Sequence, residues 1–92
     1  HGPLKLESER MRITWNDEEV PLTVTEFWMV HTLIRFPGHV KNRDQLMREA
    51  ELVVDDATIT SHIKRIRKKF IAVAPEFDAI ETVHGVGYRW KP

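Results

Sequence analysis

The side chains best suited to chemistry lie between residues 57 and 75. Lys64, Arg65, Arg67, Lys68 and Lys69 fall there with no acidic residue among them. An ordinary surface helix mixes charge signs for i,i+4 pairing, so an unrelieved cationic run suits an anionic partner. Its other reading is a solvated basic face. Thr60 and Ser61 sit just ahead, short polar groups of the kind that approach base edges. Other chemistries find less support. His1, His31, His39, His62 and His84 show no HxH or HxxxH spacing, so no metal site is expected. His31 reads as a packed imidazole, and His62 either packs or reaches a phosphate. The acids Asp17-Glu18-Glu19 and Asp55-Asp56 adjoin one another in loops, where carboxylates are ordinarily just solvated. There is no GxSxG, P-loop or GxGxxG pattern, and Gly85-Val86-Gly87 is too short to cradle a phosphate. No catalytic residue, metal or cofactor is expected.

These groups need a scaffold, and the chain is long enough for one. It has 92 residues, 41% of them hydrophobic and none of them cysteine. That suits one domain with a single core, without disulfide staples, and fits a reducing compartment. No apolar run approaches a membrane span. Residues 1–3 read as a tag or linker remnant, leaving 4–92 as the domain.

Leu4, Leu6, Met11, Ile13 and Trp15 alternate with polar Lys5, Arg12 and Thr14, the period of half-buried strands. A turn at residues 16–19 leads to a third strand at Val20-Pro21-Leu22, giving a small antiparallel sheet over 4–23. Thr23-Val24-Thr25-Glu26 is a capping box opening a helix over 24–36, with Leu22 and Phe27 spaced as a hydrophobic staple. Val24, Phe27, Trp28, His31 and Ile34 are its expected apolar face. Asn42 and Gln45 repeat the box for a short helix over 43–50. A loop at 51–56 precedes a helix over 57–73, anchored by Ile59, Ile63, Ile66 and Phe70 at helical spacing. Residues 80–91 form a hairpin around His84-Gly85-Val86-Gly87. Tyr88 and Trp90 point inward there, though the Tyr88 hydroxyl could meet a phosphate. The expected fold class is α+β.

The zero net charge hides a polarity. Residues 1–56 carry 7 basic and 11 acidic side chains, a balance of −4, and residues 57–92 carry 7 and 3, a balance of +4. A local field of this kind steers a ligand better than the average charge suggests. The basic helix meets the needs of a groove reader: an apolar anchor, short polar groups and flanking cations that include Lys68. The hairpin beside it, with Arg89 and Lys91, is either a plain hairpin or a wing against the flanking backbone.

Leu22–Phe27, Pro37–Val40, Asn42–Leu46, Thr58–Phe70 and Glu81–Arg89 together resemble the C-terminal DNA-binding domain of OmpR/PhoB-type response regulators. The resemblance covers nearly all of 20–91. It implies a winged helix-turn-helix with a small N-terminal sheet, three helices and a C-terminal hairpin wing. It further implies a bacterial, cytoplasmic transcription regulator with a receiver domain phosphorylated by a sensor histidine kinase. Such a domain is a monomer alone and pairs on double-stranded promoter DNA, away from membranes. The resemblance assigns base reading to Arg65, with Thr60 and Ser61 facing the groove. It assigns phosphates to Thr58, His62, Lys64, Arg67, Thr82 and Tyr88. It places an RNA polymerase contact at 51–56, with Glu51, Asp55 and Asp56. Three positions depart. Ala57 and His84 stand where arginine is common, and Glu51 where tryptophan is. Lost cations and an added acid imply weaker, more salt-tolerant non-specific binding. His84 remains a minor-groove candidate, more so when protonated below about pH 6.5. The alternative is a winged-helix adapter docking an acidic protein; a small hydrolase lacks any nucleophile–base pair.

Overall fold

The computed structural model describes residues 2–50 and 56–92. The opening alternation folds as expected into β1 (Leu4–Glu7) paired antiparallel with β2 (Arg12–Trp15), Leu4 opposite Trp15 and Leu6 opposite Ile13. Asn16 and Asp17 close the next turn with φ of 49° and 68°. Asn and Asp tolerate that left-handed region, and a two-residue loop of this kind matches strand twist. The third strand is therefore β3 (Glu18–Glu19), not Val20-Pro21-Leu22. Val20 N–H still donates to Ile13 O, but Leu22 N–H turns back onto Val20 O across Pro21, so the ladder ends there. Thr14 also departs from expectation, being buried rather than outward. Its cross-strand partners are Lys5 and Glu19, whose longer side chains flank the small threonine.

Both capping boxes form. Thr23 and Glu26 exchange side-chain-to-backbone hydrogen bonds at the start of α1 (Val24–Arg35), and Asn42 and Gln45 do so at α2 (Arg43–Glu49). The buried face of α1 is rotated from the expected one. It centres on Val30 with Glu26, Phe27, Leu33 and Ile34, and Met29 beside it. Val24 is exposed and Trp28 and His31 are half-buried, their two rings packed edge-to-face. The long helix is α3 (Asp56–Val73), starting one residue before the expected position. Its stripe of Ile59, Ile63, Ile66 and Phe70 is at most 1% exposed.

The chain ends in a hairpin of β4 (Ile80–Val83) and β5 (Gly87–Trp90), Thr82 opposite Tyr88. The segment before α2 joins it. Lys41 and Tyr88 exchange both backbone hydrogen bonds, at 2.7 and 2.9 Å, and Gly38 N–H donates to Trp90 O at 2.7 Å. Gly87 permits this approach, since a Cβ there would sit 2.1 Å from Lys41 O. Trp15, Phe70, Phe77 and Trp90 form one aromatic cluster, with Phe70 and Phe77 stacked at 4.4 Å. It ties the N-terminal sheet, α3 and the hairpin into one core.

Candidate nucleic-acid interface

With its isoleucines inside, α3 turns Thr60, Ser61, Lys64, Arg65 and Lys68 to solvent. His62, Arg67 and Lys69 are half-buried along its flanks. Asp56 and Thr58 belong to the first turn of the helix. Glu51 and Asp55 lie outside the described residues.

The five cations divide into two groups. Lys64 and Lys68 have no carboxylate partner among the described residues. The other three are engaged. Lys69 Nζ donates to Glu26 Oε1 at 2.5 Å, and Arg65 Nε lies 3.8 Å from Glu26 Oε2. Arg65 Nη2 also donates to His62 Nδ1 at 3.0 Å. Arg67 turns toward the hairpin, donating to Ile80 O at 3.0 Å and Thr82 Oγ1 at 2.7 Å, with its guanidinium 6.0 Å from the Tyr88 ring.

Burial alone would raise the Glu26 carboxyl, but hydrogen bonds from Lys69 and Thr23 outweigh it and hold its pKa below the ordinary value. His62 is held below its ordinary value, first by burial and then by the Arg65 charge, against the pull of Glu26. It is therefore neutral at neutral pH. An arginine can only donate, so Nδ1 accepts and the ring proton sits on Nε2, pointing away from Arg65.

The hairpin stands beside this face. His84, Gly85 and Val86 form its exposed tip, with Gly85 at φ 79° making the turn. Tyr88 is buried, as expected for its inward side. The cations of the return strand are neutralised, Arg89 by Glu81 at 2.6 Å and Lys91 by Asp78 at 3.0 Å. A groove lined by residues 42–44 and 82–88 separates the tip from the start of α2.

Residues 17–90 match a family described as transcriptional regulatory protein, C terminal. The chain belongs to this family. The transcriptional regulatory protein BaeR of Escherichia coli O6:H1 is 39% identical over 93 residues, covering 98% of this chain and 39% of that protein. CreB of Escherichia coli K12 is 38% identical, covering 95% and 39%. The regulatory domain thus spans about two-fifths of the length of the curated relatives it matches. Among solved structures, the AdeR DNA-binding domain in complex with an intercistronic region superposes with a TM-score of 0.88 at 25% identity, covering 99% of this chain and 95% of that one. The Klebsiella pneumoniae RstA DNA-binding domain in complex with the RstA box gives 0.83 at 29% identity, covering 99% and 93%. The fold of the regulatory domain is therefore the winged helix-turn-helix of response-regulator DNA-binding domains, α2 and α3 being the helix pair and β4–β5 the wing. Its family places it among regulators, not enzymes. Among the described residues no helix is long and apolar enough to cross a membrane.

The residue that sequence reasoning missed is Glu26. It was legible as a cap, yet its second job, neutralising α3 from 43 residues away, leaves no local signal.

Proposed function

We propose that this regulatory domain binds double-stranded promoter DNA in a sequence-specific manner and controls transcription in a bacterial cytoplasm. The observation that carries the reading is the two-sided build of α3. Its apolar side is sealed in the core, and its other side leaves Thr60, Ser61, Lys64, Arg65 and Lys68 open. A major groove about 12 Å wide admits one such helix. Arg65 reads base edges, with Thr60 and Ser61 beside it. Lys64, Lys68 and Thr58 meet phosphates, and the His62 Nε2 proton serves another. Thr82 accepts from Arg67 and retains its own hydroxyl proton for the flanking backbone. Arg67 and Tyr88 hold the wing, and the exposed tip residue His84 is the candidate for the minor groove. A receiver domain and a sensor histidine kinase complete the signalling chain in the full-length protein. The 51–56 segment contacts RNA polymerase, and the domain pairs on tandem or inverted half-sites.

In vitro selection from a random duplex library, followed by titration of the selected and a scrambled duplex at fixed salt, tests this reading. A selected sequence bound at least about a thousandfold tighter than the scrambled one is expected. Equal affinity for both would overturn it.

A further inference from the structure

Among the described residues, the carboxylate paired with the proposed base-reading arginine belongs to another helix. Glu26 sits at the third position of α1 with its side chain only 2% exposed. Its two oxygens have separate tasks. Oε1 accepts the Thr23 N–H at 2.9 Å and the Lys69 ammonium. Oε2 faces Arg65 Nε. His62 Nδ1 accepts a hydrogen bond from the Nη2 of the same guanidinium at 3.0 Å. Arg65 is thus hydrogen-bonded at one Nη and ion-paired 3.8 Å from its Nε, while its side chain stays 51% exposed.

We propose that Glu26 and His62 form a two-point rack that holds Arg65 in its base-reading pose, which makes Glu26 a positioning residue for sequence discrimination. This rests on Arg65 being a base reader. Two physical effects follow from the grip. A free arginine side chain loses rotamer entropy when it is immobilised on a base, and the rack removes much of that loss beforehand. A carboxylate beside the guanidinium also offsets its charge. Phosphates, which respond to charge, then attract it less, while base edges, which respond to the directed N–H pair, keep their hold. Lys69 helps keep the buried carboxylate ionised through its other oxygen, Oε1. Neutral His62 completes the arrangement, because a protonated ring would have no lone pair for Arg65.

The test uses the domain with the duplex it selects from a random library and a scrambled duplex of the same composition. Glu26→Gln is expected to lower the selected-to-scrambled affinity ratio about tenfold, with scrambled binding unchanged or tighter. In an Arg65→Ala background the same change should leave the ratio alone. A purely structural role would weaken both duplexes equally and keep the ratio, and that result overturns the rack. So does an equal loss of ratio in the Arg65→Ala background. If Arg65→Ala itself leaves the ratio intact, the base-reading role fails and the rack falls with it. Should Glu26→Gln not fold, the unaltered domain decides. The Arg65 Nη protons are expected to exchange with water more slowly than in free arginine, and to speed up in His62→Ala. Exchange at the free-arginine rate overturns the proposal.

Discussion

Arg67 on α3 donates to the Thr82 hydroxyl at 2.7 Å and reaches past it to Ile80 O. One side chain thus bolts the wing to α3, so the two elements keep a fixed separation.

Arg67→Ala removes both bonds and the contact over Tyr88. Charged hydrogen bonds of this kind contribute about 1–3 kcal/mol together. Thermal unfolding should show a loss within that range, with faster amide exchange in β4 and β5 than in α1. Thr82→Val, which deletes only one acceptor, should cost less. An Arg67→Ala domain with unchanged exchange in the hairpin would refute the bolt.

Arg65→Ala and Lys64→Ala should separate reading from anchoring. Arg65→Ala is expected to cost about 1–3 kcal/mol on the selected duplex and to relax one base position. Lys64→Ala should weaken all duplexes alike and lower the salt slope by about one. Fluorescence anisotropy across a salt series distinguishes them; matching slopes and matching losses would deny Arg65 its role.

Gly87→Ala should damage folding well before it affects DNA. The added Cβ would lie 2.1 Å from Lys41 O and 2.7 Å from Lys41 C. Both are backbone atoms held by the paired bonds to Tyr88, so neither can yield cheaply. A loss of about 2 kcal/mol or more is expected in urea unfolding. Gly85→Ala strains only a positive φ in open space, and should cost about 1 kcal/mol.

Acid should destabilise the domain in two stages. His31 and His62 have folded pKa values below the ordinary 6.5, so the unfolded chain binds their protons first. Stability is full above about pH 6.5 and falls as the pH drops below it. Glu26 has a folded pKa below 4.5. Its contribution is present above that value and is lost as pH falls through the lower folded one. A melting temperature measured from pH 8 to 3 should decline in both windows, and Glu26→Gln should flatten the lower one. A flat profile between pH 7 and 5 would contradict the histidine assignment.

Local signals carried most of what the sequence could tell. The isoleucine stripe of α3 and both capping boxes depend on neighbours three or four positions apart, and each appears where spacing puts it. Features that depend on distant partners stayed hidden. The basic run looked free of counter-charge because Glu26 lies on another helix. Arg89 and Lys91 looked available until the fold brought Glu81 and Asp78 to them. The third strand ended early because Pro21 turned the chain, and the α1 face is rotated, with Val24 exposed and Glu26, Met29 and Val30 buried in its place. The exposed side of α3 was legible in outline, but which cations remain available was not.

Trp15 lies 5.0 Å from Phe77 and 6.0 Å from Phe70. A fragment cut to begin at Leu22 would strip that indole from the rings and leave a wet hole beside the wing. The small sheet is thus a working part of the core on which the wing rests, not an ornament at its edge.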